Sequence, residues 1–237
     1  MAEFPGAIPR RERLIVALDV PTTAEARKLV ERLGDSVRFF KIGLELSTSG
    51  GYYELLDWLV RRGNRVFCDL KLYDIPETVR RAVANLRGRG VSFLTVHGDR
   101  AIMEAAVKEK GDIGILAVTV LTSLDRKDLE AMGYRGEVKD LVLTRAGGAQ
   151  AAGCDGVIAS GHEAAGIKAA HRHLLVVTPG IRPAGGDVGD QKRVMDVAQA
   201  FRSGADYIVV GRPVRDAPEP ARAAESIQAT IAEVFPS

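Results

Sequence analysis

The sequence predicts a single-domain α/β fold, a (β/α)8 TIM barrel, on three observations. Eight short runs rich in β-branched residues alternate with longer amphipathic stretches, the pattern of repeated parallel βαβ units. The chain has 237 residues, close to the roughly 250 typical of such a barrel. The first run ends LDVPTT, with no glycine, where a doubly wound open sheet commonly carries a GxGxxG turn. The barrel is read over residues 1–237, with residues 1–12 as a short N-terminal extension.

The first strand is read at Leu14–Asp19. In the helical stretch after it, TTAEARKLVERLG, Thr22 or Thr23 can cap the start and Gly34 can end it. The strand Val37–Gly43 leads into a helix at Tyr52–Arg62, and Arg65–Lys71 leads into Pro76–Arg89. Strands at Ser92–His97 and Ile113–Val120 precede helices at Arg100–Lys110 and Val138–Ala152. The last strands, Gly156–Ser160, Leu174–Thr178 and Asp206–Gly211, precede helices at Gly161–His171, Gly189–Ser203 and Pro213–Val234. No Pro- or Ser-rich linker, low-complexity tract or charge block interrupts the alternation.

Composition narrows the class of function. Apolar residues make up 46% and charged residues 27%, a globular balance that excludes disordered, fibrous and collagenous chains. Lys and Arg total 33 against 31 Asp and Glu, a formal charge of only +2. That evenness argues against a dense basic face, so nucleic acid is not an expected partner. Two cysteines, Cys68 and Cys154, form no CxxC pair and no disulfide framework, so reduced thiols in the cytoplasm are expected. No apolar run approaches the ~18 residues of a spanning helix, and MAEFPGAIPRRER lacks the apolar stretch of a signal peptide. No membrane association is expected.

In a barrel, chemistry belongs at the C-terminal ends of the strands. Those ends carry Asp19, Lys41, Asp69 with Lys71, and His97; Thr122 and Ser123 follow the fifth, and Ser160 ends the sixth. The seventh leads to Arg182 and the eighth to Arg212. One such residue would read as a solvated loop position, but so many converging on one rim predict a site. Asp69 and Lys71 are two apart and share a strand face, with Cys68 and Leu70 turned outward to the helices. Charges facing a low-dielectric interior need each other or a ligand. An ordinary salt bridge sealing the barrel would satisfy that need, but Lys41 and Asp74 add charge beside it.

The last two strands carry a second signal. After LLVVT comes PGIRPAGGDVGDQKR, with Arg182, Gln191 and Arg193, and after DYIVV come Gly211 and Arg212. Glycine-rich turns and helix N-termini at this place in barrels commonly bind phosphate, and guanidinium forks add bidentate contacts. A phosphorylated substrate is therefore expected. Other motifs fail: His162-Glu163 begins an HExxH-like string whose fifth position is Gly166, and His171 and His173 lie before the seventh strand, on the wrong side. No P-loop, GxSxG or metal-ligand spacing is present, and Cys68 on the outward face is no catalytic thiol.

The string FCDLKLYDIPETV resembles the signature of the orotidine 5′-phosphate decarboxylase family, D-x-K-x-x-D-I-P-x-T, and matches it at Asp69, Lys71, Asp74, Ile75, Pro76 and Thr78. LDV, FKIG, TVHG, LTS, TPGIRP, GDQKR and IVVGRP follow in family order, and the spacing from Arg182 through Gln191 to Gly211-Arg212 resembles the bacterial branch. Mg²⁺-dependent sugar-phosphate relatives, 3-keto-gulonate 6-phosphate decarboxylase and hexulose 6-phosphate synthase, share D-x-K-x-x-D but place an acidic residue where this chain has Lys41.

The resemblance implies conversion of orotidine 5′-monophosphate to uridine 5′-monophosphate and CO₂ in pyrimidine biosynthesis, with no cofactor and no metal. It implies Lys71 as the general acid, Asp69 beside the substrate carboxylate, and Lys41 and Asp74 completing an alternating charge array. Asp19 and Lys41 would hold the ribose, Thr122 and Ser123 the pyrimidine edge, and Gln191, Gly211 and Arg212 the phosphate, with Arg182 close by. It further implies a homodimer in which Asp74 and Thr78 cross the interface. A nucleotide-binding sensor would need the phosphate loop but not the interior charge array.

Overall fold

The computed structural model describes residues 8–182 and 195–236. Eight parallel strands close into a barrel in sequence order, with the last pairing the first. They are β1 Leu14–Ala17, β2 Phe39–Gly43, β3 Arg65–Leu72, β4 Val91–His97, β5 Gly114–Val118, β6 Gly156–Ile158, β7 Leu175–Thr178 and β8 Tyr207–Val210. Each strand alternates. Val16, Phe40, Cys68 and Leu94 pack outward against the helices, while Ile15, Phe39, Phe67 and Phe93 fill the interior, as period-two side chains must.

The helices are α1 Thr23–Leu33, α2 Leu44–Thr48, α3 Tyr52–Arg61, α4 Pro76–Leu86, α5 Arg100–Glu109 and α6 Arg126–Ala131. They continue with α7 Val138–Ala152, α8 Gly161–Ala170, α9 Val197–Arg202, α10 Arg212–Arg215 and α11 Pro220–Val234. Thr22 caps α1 by accepting from the Glu25 N–H. No helix among the described residues is long and apolar enough to cross a membrane. Both cysteines are free and buried, and burial pushes each thiol up to about 12.

Three readings of the sequence are corrected here. The helix expected over Pro213–Val234 is two, α10 and α11, because Pro218 and Pro220 push the residues before them out of helical backbone. Of the helix expected over Gly189–Ser203, Met195 and Asp196 are non-helical and α9 begins at Val197, where the Asp196 carboxylate accepts from the Gln199 N–H; residues 183–194 lie outside the described residues. Two helices were unforeseen: α2, and α6 with its Asp125–Asp128 capping box.

The bottom of the barrel is filled by aromatic rings. Phe93 packs against Phe39 at 5.4 Å, Phe67 at 6.1 Å and Tyr207 at 5.3 Å between ring centroids. Beneath them the Arg65 guanidinium lies 4.5 Å from the Phe39 ring and pairs with Glu12 at 2.6 Å. Residues 8–12 of the expected extension are thus docked: Arg10–Glu12 forms a 3-10 turn and Ile8 packs on the interior cluster. Above these rings the barrel opens into a cavity at its C-terminal rim.

Candidate active site

The polar rim is built upward from that aromatic floor. Asp19 follows β1, Lys41 lies on β2, and Asp69 and Lys71 lie on β3. Lys41 Nζ stands 2.8 Å from Asp19 Oδ1 and 3.3 Å from Asp69 Oδ2, and Lys71 Nζ stands 2.9 Å from Asp69 Oδ1. The order Asp19–Lys41–Asp69–Lys71 therefore alternates in sign. Gly43 makes room for it, since a Cβ there would fall 3.0 Å from Lys41 Nζ.

Burial shapes these charges. It pushes the Lys41 ammonium toward neutrality, but Asp69 and Asp19 outweigh it and hold Lys41 above the usual lysine range. Burial likewise pushes the Asp69 carboxyl up, and Lys41, Lys71 and hydrogen bonds from Lys71 and Thr95 overcome it, holding Asp69 below the usual carboxylate range. Both groups stay ionised before any ligand arrives.

Asp69 and Lys71 converge as expected, but not by simple alternation. Lys71 is the only non-glycine described residue with a positive φ, +47°. On the β4 side the register jumps from Cys68↔Leu94 to Leu72↔Val96, so four steps of β3 span two of β4. The pair sits on a bulge that bends the strand end into the barrel mouth.

Above this array opens a cavity of about 430 Å³, within the usual range for small-molecule sites. Asp19, Lys41, Asp69 and Lys71 line one wall; Thr122 and Ser123 line another, and Arg182, Gly211 and Arg212 line the side after β7 and β8. Phe67, Leu121, Ile158 and Val209 supply apolar surface between them. Gly211 precedes α10, and among the described residues a Cβ built on it meets only Ala17 Cβ, at 3.8 Å. Gln191 lies outside the described residues.

The other expected residues fall elsewhere. Asp74 is exposed, with Oδ1 accepting from the Ile75 N–H at 2.6 Å, and Thr78 is half-buried in the first turn of α4. Neither lines the cavity of its own chain. Beside them Tyr73 and Ile75 are each 66% exposed, an apolar patch next to the mouth. Ser160 caps α8, and His171 shares a surface hydrogen bond with Gln150.

Two further contributors, Arg215 lining the cavity and Thr95 buried beneath it, were not expected from the sequence. Arg215 donates to the Asp19 carbonyl at 2.5 Å and forks onto the Asp216 carboxylate at 2.6 and 2.9 Å, tying α10 to the end of β1. Thr95, fully buried on β4, hydrogen-bonds both Asp69 and Lys71. Thr95 sits at an inward position of SFLTVH, a polar residue flanked by apolar Leu94 and Val96, which is a signal; no motif marks Arg215.

The family described as "Orotidine 5′-phosphate decarboxylase / HUMPS family" has a sequence model matching residues 12–227. A protein named orotidine 5′-phosphate decarboxylase from Methylococcus capsulatus is 57% identical over 96% of this chain and 95% of its own length. One of the same name from Stenotrophomonas maltophilia is 54% identical over 99% of both chains. Among solved structures, orotidine 5′-phosphate decarboxylase from Lactobacillus acidophilus superposes with a TM-score of 0.82 at 32% identity, covering 93% of this chain and 99% of that one. The Pyrococcus horikoshii enzyme gives 0.75 at 27%, covering 92% and 98%.

Proposed function

This chain belongs to the orotidine 5′-phosphate decarboxylase / HUMPS family, and we propose that it converts orotidine 5′-monophosphate to uridine 5′-monophosphate and CO₂ in pyrimidine biosynthesis. The observation that carries this reading is the Asp19–Lys41–Asp69–Lys71 array facing a cavity whose far side is lined by Arg212. The family description covers two activities. Lys41 favours the decarboxylase, because an ammonium between Asp19 and Asp69 occupies the place where a divalent cation would need an acidic ligand. Relatives above 50% identity carrying the decarboxylase name support the same choice.

The chemistry follows from the charges. Losing CO₂ leaves an electron pair on a pyrimidine carbon that has no electron sink, and enzymes lower such barriers by about 8–23 kcal/mol. Lys71, held against Asp69, places an ammonium where that charge develops and then donates the proton that completes the new C–H bond. The neutral amine regains its proton from solvent. Asp69, ionised and shielded from water, stands beside the departing carboxylate and is relieved as CO₂ leaves. Asp19 and Lys41 take the ribose hydroxyls, and Thr122 and Ser123 the pyrimidine edge. Arg212, the Gly211 backbone and Gln191 take the phosphate, with Arg182 nearby. Binding at this remote end is how the site gains transition-state affinity at the reacting carbon.

The working unit in this reading is a homodimer in the cytoplasm. Asp74 and Thr78 stand outside their own cavity on a segment whose Tyr73 and Ile75 form an apolar rim, suited to a two-fold contact that delivers both residues to the partner's site. The reaction as written needs no cofactor.

The test is loss of substrate absorbance when purified protein meets orotidine 5′-monophosphate, repeated after EDTA. Turnover that survives chelation is expected. Turnover abolished by EDTA and restored by Mg²⁺ would overturn the metal-free mechanism in favour of the sugar-phosphate branch, and nucleotide binding without turnover would indicate a sensor.

A further inference from the structure

Thr95 is buried beneath the bulge that carries Asp69 and Lys71, with no exposed surface, and does not line the cavity. It cannot touch a bound ligand. Yet its hydroxyl contacts both charged residues. Thr95 Oγ1 accepts from the Lys71 backbone N–H at 2.9 Å and donates to Asp69 Oδ1 at 2.9 Å. The same Oδ1 accepts from Lys71 Nζ at 2.9 Å. The contacts close a ring: the Lys71 amide, the Thr95 hydroxyl, the Asp69 carboxylate and the Lys71 ammonium.

The direction of each bond is settled by chemistry. An amide N–H only donates and a carboxylate only accepts, so the hydroxyl must accept from the first and donate to the second. The amide needs this partner because Lys71 has no register partner on β4, where pairing passes from Cys68↔Leu94 to Leu72↔Val96. A buried N–H left without an acceptor is costly. Lys71 also holds a left-handed backbone, φ +47°, which a non-glycine residue keeps only where its surroundings over-determine it.

We infer that Thr95 is a positioning residue for decarboxylation. Its hydroxyl locks the left-handed turn at Lys71 and the orientation of the Asp69 carboxylate, and so sets where the Lys71 ammonium stands. The inference rests on the proposed reaction, in which Lys71 is the proton donor. Side-chain volume at position 95 is secondary; the paired donor and acceptor on one oxygen carry the role. Misplacing a reacting group by about 1 Å can cost about 100-fold in rate.

The test compares Thr95→Val, which keeps the shape and removes the hydroxyl, with Thr95→Ser, which keeps the hydroxyl. For each, kcat and KM with orotidine 5′-monophosphate, Kd for uridine 5′-monophosphate and Tm are measured. Thr95→Val should lose about 10–100-fold in kcat, with KM and product Kd within about threefold of wild type, the span of a minor contact. Thr95→Ser should recover kcat to within about threefold. If Thr95→Val does not fold, Thr95→Ala carries the same comparison. A hydroxyl-free variant with lowered Tm but wild-type kcat would make Thr95 merely structural and overturn the inference. A serine variant as slow as the valine one would overturn it as well. Wild-type turnover, measured first, separates this from failure of the decarboxylase reading, which would show as no turnover in the unmodified protein.

Discussion

Replacing Asp69 by Asn leaves the shape of the site intact and removes the one anion shared by two ammonium groups. Lys41 Nζ and Lys71 Nζ lie 3.3 and 2.9 Å from its carboxylate oxygens, and Asp69 and Lys41 side chains are only 12% and 10% exposed. Breaking a buried pair by removing one partner costs about 3–5 kcal/mol. The lower end applies, because Lys41 keeps Asp19 at 2.8 Å and the Lys71 side chain, 36% exposed, can turn toward water. In a protein of this size ~1 kcal/mol moves Tm by about 2–4 °C, so Asp69→Asn should lower it by about 6–12 °C at pH 7. The pH dependence has a defined sign. A carboxylate held below its ordinary range contributes stability that is fully present above the unfolded value near ~3.9 and is lost as pH falls through the lower folded value. Calorimetric melts should therefore show a constant gap between wild type and variant from pH 7 to about 5, closing below about pH 4. A gap under about 2 °C at pH 7, or one that widens on acidification, would refute the claim that Asp69 is the central counter-ion. Decarboxylation should collapse in the same variant.

Arg212→Ala should weaken uridine 5′-monophosphate binding by about 1.5–3 kcal/mol and leave uridine binding unchanged, as isothermal titration would show; equal losses would place Arg212 in the fold rather than on the phosphate. Gly211→Ala puts a Cβ at an ordinary 3.8 Å from Ala17 Cβ, so Tm should hold within about 1–2 °C while nucleotide affinity falls, because Gly211 lines the side of the cavity where the phosphate is proposed to bind. Lys71→Ala and Asp74→Ala should each be inactive alone, yet refolding them together should restore about a quarter of the sites, since about half of the dimers are hybrids with one intact site. A mixture that stays inactive would put Asp74 to work within its own chain.

The barrel was legible because parallel strands buried on both faces and amphipathic helices have distinct periods, and eight repeats reinforce one another. Helices α2 and α6, at five and six residues, are too short to show a period. The break before α11 was written in Pro218 and Pro220, where local sterics overrode the apolar pattern that runs across them. At the site, Asp19, Lys41, Asp69 and Lys71 were legible because buried charge is expensive and strand ends are where a barrel can use it. The bulge at Lys71 was not. Its cause is a register jump against β4, and register belongs to a pair of strands rather than to either sequence. Thr95 follows the same logic. It reads as a polar residue flanked by apolar Leu94 and Val96 until the Lys71 amide, displaced by that jump, arrives at its hydroxyl. Residues that touch a ligand must reach the rim and are found by counting along each strand. A residue that aims them lies one layer deeper, on a neighbouring strand, and only the pairing between strands reveals it.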